Sequence, residues 1–376
     1  MKNLNNTNQF RPTRAHIDLE ALRHNLALAQ ELVGPKVSLL GIVKANAYGH
    51  GAVMVAKVLE ECGTQALGVA TPNEGYELRQ AGIRVPILLL AGPFEAPGDF
   101  LVGHRLTPVL FNHEQIASLE GSLSSKLDVH LKVDTGMTRL GVLPHALPGM
   151  LQSLAKAKKL QLSGVLTHLA QADTTFEGPT ADQCRVFSEV KDEVQRAFPE
   201  VQFLHLANSA AILGQKLGSC NWARPGIMLY GSTPHPRLEN GKRLKPVMHF
   251  TTQIISLKEV DAGAAVSYGG EWVAKRPSRI AVLPVGYADG YIRHLGNVGE
   301  VLVRGERAPV AGRVCMDLTM VDVTHLPEVR LGDEVTLWGP GLQADEVAGK
   351  AGTISYELFC AVSKRVPRIY QHERGS

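Results

Sequence analysis

Apolar positions along this chain fall into two regimes. A short extended piece, Ala15-His16-Ile17-Asp18, leads into a stretch where Leu19, Leu22, Leu26, Ala29 and Val33 recur at helical spacing. After it, short continuous apolar runs alternate with helical stretches. They lie at 38–43, 67–70, 87–91, 107–111, 129–133, 164–166, 203–206 and 227–230, and each ends in small, polar or glycine residues. Unbroken apolar strands separated by helices are covered on both faces, as in a parallel sheet. Eight in succession predict a closed (β/α)8 barrel of the TIM type.

Beyond Leu244 the runs change character. Those at 248–257, 278–285, 299–303, 308–314, 320–323 and 334–338 are short and β-branched, with Gly and Pro between them, and helical spacing returns only at 344–351. The fold class is therefore α/β plus β. It divides into a flexible N-terminus over 1–12, an N-terminal (β/α)8 barrel over 13–244, and a C-terminal mostly β domain over 245–376 that takes in the strand near 15–18. Neither an internal repeat nor a low-complexity tract interrupts this plan.

Length agrees: 376 residues make two to three domains at about 150 residues each. Lys and Arg number 39 against 36 Asp and Glu, a net charge of +3 that is spread along the chain, so nucleic acid is not an expected partner. Five widely spaced cysteines without a Cys-x-x-Cys pair disfavour both a disulfide framework and a zinc ribbon. Residues 1–14 carry no apolar signal region and no apolar stretch approaches 18 residues, so the chain reads as a cytoplasmic protein without a membrane partner.

Candidate chemistry gathers where barrel strands end, because the C-terminal strand ends of this fold face the active site. Lys44, in Val43-Lys44-Ala45-Asn46-Ala47-Tyr48-Gly49-His50-Gly51, follows the first run and is a candidate amine nucleophile. A lysine with an ordinary pKa of about 10.4 must be desolvated, or already joined to a carbonyl as a Schiff base, to serve in that way. A surface lysine at a loop start has the same pattern. Asn208-Ser209-Ala210 follows the seventh run and Arg224-Pro225-Gly226-Ile227 lies near the eighth, where this fold binds phosphate; they also read as caps and turns. His168 and His205 could be core groups or catalysts, and no metal-ligand spacing appears. Lys132-Val133-Asp134-Thr135-Gly136-Met137-Thr138-Arg139 delivers charges on a buried strand, which require partners. In the β region, Ser267-Tyr268-Gly269, Gly286-Tyr287-Ala288-Asp289-Gly290, Arg313-Val314-Cys315-Met316-Asp317 and Ser355-Tyr356-Glu357 set polar and aromatic residues among small ones.

Taken in order, these runs resemble the bacterial alanine racemases. Lys44-Ala45-Asn46-Ala47-Tyr48-Gly49-His50-Gly51 is similar to their pyridoxal phosphate signature, and His205-Leu206-Ala207-Asn208-Ser209, Cys315-Met316-Asp317 and Arg365-Val366-Pro367-Arg368 agree with the other motifs. The likeness spans about 13 to 370. One departure is Gly270-Glu271-Trp272, where the family often has Thr at the middle position.

The resemblance implies pyridoxal 5'-phosphate as cofactor, alanine as substrate, and a homodimer that shares its active sites. It casts Lys44 and Tyr268 as the two catalytic acid–base groups on opposite faces of the cofactor. A phenol of pKa about 10 is a poor base unaided; His168 and Arg224 would stand behind it, with Arg224 also facing the pyridine nitrogen. Tyr48, Ser209, Gly226, Ile227 and Tyr356 would hold the phosphate. Arg139 and Met316 would hold the substrate, Lys132 would match a lysine carbamylated in some relatives, and Tyr287, Arg293 and Arg313 would line an entrance corridor. The alternative is a broad-specificity racemase that accepts serine or larger side chains. Basic amino-acid decarboxylases need a carboxylate where Arg224 stands, and the small cofactor-binding proteins that share the barrel lack anything like 245–376.

Overall fold

A computed structural model describes residues 10–174 and 178–371. The chain forms two units. One takes 23–47 and 52–244; the other takes 10–22, Tyr48–Gly51 and 245–371. The first strand, β1 (Arg14–Asp18), belongs to the second of these.

In the first unit eight parallel strands follow one another around a closed barrel: β2 (Ser38–Ile42), β3 (Ala66–Val69), β4 (Ile87–Leu89), β5 (Leu106–Leu110), β6 (Leu127–Lys132), β7 (Leu160–Leu166), β8 (Phe203–Asn208) and β9 (Trp222–Arg224). β9 pairs with β2 and completes the ring. β3 and β4 are buried at every position, as strands covered on both sides must be. The last expected run, 227–230, is not a strand. Ile227–Tyr230 is a buried turn of 3-10 helix, and the eighth strand is the shorter Trp222–Arg224. Pro225 has no N–H to give a ladder, and a short apolar run does not by itself distinguish strand from buried helix.

Part of the barrel interior is imidazole. His130 and His205 meet edge to face with ring centroids 4.9 Å apart, flanked by Phe203 at 5.6 Å from His130 and Trp222 at 5.2 Å from His205. Among the surrounding helices, Pro72–Gln80 starts with a reciprocal cap. Thr71 Oγ1 accepts the Glu74 N–H, while the Glu74 carboxylate accepts the Thr71 N–H.

Besides β1, the second unit holds β10 (Met248–Gln253), β11 (Ser256–Val260), β12 (Ala265–Val266), β13 (Trp272–Val273), β14 (Ser278–Leu283), β15 (Glu300–Val303), β16 (Glu306–Pro309), β17 (Thr319–Asp322), β18 (Glu334–Trp338) and β19 (Arg368–Gln371), arranged in three sheets. The large sheet runs β16-β15-β18-β10-β1-β19; β11-β14-β17 and β12-β13 form two smaller ones. The run expected at 308–314 is strand only over Glu306–Pro309, beyond which Val310 makes an isolated bridge to Val321. A short helix at Ser355–Ala361 and the final strand β19 were not legible in the sequence pattern.

Residues 1–9 of the segment expected to be flexible lie outside the described residues. Arg11, inside that segment, is firmly held: its guanidinium spans both carboxylate oxygens of buried Asp289 at 2.7 and 2.9 Å. The preparatory polar character of a terminus does not make its arginines loose when a buried acid awaits one.

Gly49 has φ +79°, and a Cβ there would stand 2.0 Å from the carbonyl oxygen of Phe359. Gly82 has φ +90° with open space around it. Gly49→Ala should therefore lose more than about 2 kcal/mol of stability, and Gly82→Ala about 1 kcal/mol. Urea unfolding of both variants measures the difference; equal losses would show that backbone strain, and not the close approach, governs Gly49.

Candidate active site

The chain after β2 turns the wrong way for L-residues. Ala45, Asn46 and Ala47 sit at φ/ψ of 52/50°, 54/45° and 53/52°, and Tyr48 follows at φ 51°. This is a left-handed helical turn built without glycine, a conformation that costs roughly 1–2 kcal/mol per residue. Side chains hold it. The Ala45 N–H donates to Glu74 Oε1 at 2.6 Å, and Asn46 Oδ1 accepts the Ala52 N–H at 2.8 Å. Lys44 stands at the head of this turn, half-buried, at the C-terminal end of the barrel's first strand.

Around it the barrel mouth collects cations. Lys132 ends β6 and is buried; burial, then Arg224, Arg139 and Lys44, push its ammonium down to about 8. Asp134 is the acid beside it, but its oxygens are engaged by the amides of Gly136 at 2.9 Å, Met137 at 2.8 Å and Arg139 at 3.0 Å. Burial works to raise that carboxyl, and the amides of residues 136–139 outweigh it and hold it below its ordinary range. Asp134 therefore shapes the loop that carries Arg139. The Asp-Thr-Gly run was the available signal, since Asp folds back on amides two and three residues on.

Arg224 ends β9 with its guanidinium inside the barrel. Nη2 donates to the Thr167 carbonyl at 2.7 Å, the Leu206 carbonyl at 3.2 Å and His168 Nδ1 at 3.3 Å. Nη1 is buried with no hydrogen-bond partner among the described residues. A buried donor left unmade is expensive, so Nη1 marks a place for an acceptor. Burial lowers the guanidinium to about 10, which leaves it charged at neutral pH. An arginine cannot accept, so His168 Nδ1 must, and the imidazole proton lies on Nε2. Burial, then Arg224, Arg139, Lys132 and Lys44, push His168 well below its ordinary value and keep it neutral. Gln183, which sequence pattern did not single out, fixes its backbone by donating to the His168 carbonyl at 3.0 Å.

Ser209 follows β8, and its Oγ accepts the Gly226 N–H at 2.8 Å and the Met228 N–H at 3.5 Å. Both lone pairs are thus used, and the hydroxyl proton is left to donate. The Gly226 amide, expected to face a ligand, is spent on Ser209; the Ile227 amide makes no hydrogen bond among the described residues.

The other predicted residues lie in the second unit. Tyr48 is buried, with its ring centroid 5.9 Å from that of Tyr356, and burial raises its phenol above the ordinary value. Ser267, Tyr268, Cys315, Met316, Asp317 and Leu318 line an open groove of about 490 Å³. Tyr268 is 72% exposed and Met316 53%. Tyr287 is tied to the groove through its N–H, which donates to the Cys315 carbonyl at 3.0 Å. Arg313 pairs with Glu271, whose carboxylate is held low by that bond and by Arg293. No cluster able to hold a metal ion occurs among the described residues, and none of their helices is long and apolar enough to cross a membrane.

Comparison with known proteins matches two family descriptions, "Alanine racemase, N-terminal domain" over residues 17–234 and "Alanine racemase, C-terminal domain" over 247–370. The chain is 45% identical over 373 residues to an alanine racemase of Halothermothrix orenii, covering 97% of this chain and 98% of that one. It is 45% identical over 374 residues to one from Geobacter sp. strain M21, at 96% and 99% coverage. Among solved structures, the biosynthetic alanine racemase of Pseudomonas aeruginosa superposes with a TM-score of 0.90 at 42% identity, covering 96% of this chain and 100% of that one. The alanine racemase of Bacillus anthracis with bound L-Ala-P gives 0.88 at 36% identity, with 96% of each chain covered.

The imidazoles inside the barrel make its stability depend on pH. Burial lowers His130 to about 3, and burial, His130 and Arg224 push His205 well below its ordinary value. In the unfolded chain both protonate near 6.5, so stability present above that pH is lost as pH falls below it, by about 1.4 kcal/mol per pH unit for each group. Urea unfolding at pH 7.5 and 5.5 should show this slope, and His130→Asn should remove one group's share. A flat profile between those pH values would mean that the imidazoles titrate normally.

Proposed function

The chain belongs to the alanine racemase family, and on that premise we propose which of its residues carry out the reaction. It is a pyridoxal phosphate-dependent isomerase that interconverts L- and D-alanine. The structure fits that cofactor on two counts. The barrel mouth gathers Lys44, Lys132, Arg139 and Arg224, while the carboxylates of Asp134 and Glu74 nearby are engaged by backbone amides, and so favours a polyanion. The unpartnered Nη1 of Arg224 favours an acceptor such as a ring nitrogen, and this is the observation that carries the assignment.

When bound, pyridoxal phosphate supplies an aldehyde that condenses with amines and a ring that takes up the electron pair left when the α-proton departs. Lys44 is the residue for the aldehyde. Ser209, with its hydroxyl proton available, and the Ile227 amide are donors for the phosphate, joined by Tyr48 and Tyr356; Gly226 contributes by orienting Ser209. Arg224 holds the ring nitrogen without giving it a proton, since even at about 10 the guanidinium keeps its own. Arg139 and the Met316 amide are donors for the substrate carboxylate.

Racemisation takes a proton from one face of the α-carbon and returns one to the other, so two groups must work from opposite sides. We assign Lys44 to one side and Tyr268 of the partner subunit to the other. The exposure of Tyr268 and Met316 supports a homodimer in which each groove faces a partner's barrel. His168, neutral with its proton on Nε2, can donate to the phenolic oxygen while Arg224 holds the opposite nitrogen. Tyr287, Arg293 and Arg313 line the approach, and the cytoplasm is the compartment we propose for the enzyme. The broad-specificity reading gains no support from relatives that are alanine racemases throughout.

Lys132 is the residue for carbamylation. Its amine, lowered to about 8 among three other cations, can attack CO2 to form a carbamate with release of a proton, replacing a cation by an anion beside Arg139.

Two experiments test these assignments. L-Alanine in D2O should yield D-alanine with deuterium at the α-carbon, and Lys44→Ala should abolish both products. Exchange with retained chirality in the native enzyme would overturn the role of Tyr268. For Lys132, protein equilibrated with 13C-bicarbonate should show one carbamate carbon that is absent from Lys132→Met; a bare amine in fully active enzyme would refute it.

A further inference from the structure

Asp289 is a carboxylate with no exposed side-chain surface. Arg11 grips both of its oxygens, the Gly286 N–H donates to Oδ2 at 3.1 Å, and Arg365 Nε lies 3.3 Å from Oδ1. The other end of the Arg365 guanidinium donates to Asp317 Oδ1 at 2.7 Å. Arg11, Asp289, Arg365 and Asp317 thus alternate in charge and run from the N-terminal segment to the wall of the Tyr268 groove. A buried acid with this many donors is fixed in place, because losing any of them would leave charge unmet away from water.

What it fixes is the segment beside the substrate. Asp289 ends a 3-10 turn, Tyr287–Asp289, whose first two amides donate to the carbonyls of Cys315 and Met316, both at 3.0 Å. Gly286 lets the two backbones touch: a Cβ there would meet those same carbonyl oxygens at 2.2 and 2.4 Å. Met316 is therefore held on one side by this backbone contact and on the other by the ion pair of its neighbour Asp317. Its own N–H makes no hydrogen bond among the described residues and remains available.

We infer that Arg365, acting through Asp289 and Asp317, is a positioning residue that aims the Met316 amide at the substrate carboxylate. The inference rests on the assignment of Met316 made above. Surface ion pairs that only join strands contribute little, typically less than about 1 kcal/mol, and removing one leaves ligand affinity alone. This series differs because it ends on a segment that carries an unspent donor.

The test compares Arg365→Gln, Arg365→Lys and Met316→Pro, the last of which lacks the amide proton, in the cofactor-loaded enzyme. Arg365→Gln should raise the KM for alanine about tenfold with kcat within about threefold, because a contact made equally before and during the reaction is weakened. Arg365→Lys should recover most of that loss with a melting temperature near that of the parent, and Arg365→Gln should lower the melting temperature only modestly, because Arg11 still spans both oxygens of Asp289. An unchanged KM in Arg365→Gln beside a raised one in Met316→Pro would overturn the positioning role alone. An unchanged KM in Met316→Pro would overturn the assignment of Met316, and this inference with it. A loss of activity that follows a fall in melting temperature, without rescue by lysine, would show that Arg365 merely holds the fold.

Discussion

A left-handed turn made of Ala45, Asn46, Ala47 and Tyr48 is the constraint on which the rest of the site depends. Of these only Asn46 visits that conformation readily, so the turn persists only where the surroundings over-determine it. Glu74 shows how. The carboxylate that caps helix Pro72–Gln80 uses its other oxygen to hold the Ala45 amide. A helix of the barrel thereby braces the backbone that follows β2. The turn also spends four residues, Tyr48–Gly51, in the unit that contains Tyr356 before the chain returns to the barrel. One strained segment therefore carries both Lys44 and Tyr48.

The electrostatics follow from the same economy of anions. The barrel mouth is rich in cations, and its nearby acid is committed to backbone amides. Imidazoles placed among those cations stay neutral, which lets His168 accept from Arg224 on one nitrogen and donate from the other. Arg224 keeps its charge despite burial because a guanidinium yields a proton far less readily than an ammonium does. Lys132, in nearly the same surroundings, is lowered much closer to neutrality.

The barrel and its strand ends were legible because buried parallel strands leave continuous apolar runs, and Lys44, Lys132, His168 and Ser209 lie at or just beyond the ends of such runs. The eighth strand was misplaced because Ile227–Tyr230 is as apolar as a strand while Trp222–Arg224 is short and ends in a charge. The left-handed turn was invisible: Ala-Asn-Ala-Tyr has no local preference for it, and its support comes from Glu74, nearly thirty residues on in the chain. Long-range partners hid the rest. Arg11 looked like part of a loose terminus because Asp289 lies far away in sequence, and Glu271 showed no role until Arg313 was seen beside it.

The position of β1 has a consequence for synthesis. It lies between β10 and β19 in the six-stranded sheet, with Ala15 opposite Phe250 on one side and Arg368 on the other. β1 leaves the ribosome long before β19 and must therefore wait for it before both of its edges are paired. Barrel strands pair with neighbours close in sequence and can assemble during that wait, whereas an unpaired β1 edge is a template for intermolecular association. The nascent chain is at its most vulnerable after β10 and before β19 has emerged, and the arrival of β19 is what covers the second edge of β1.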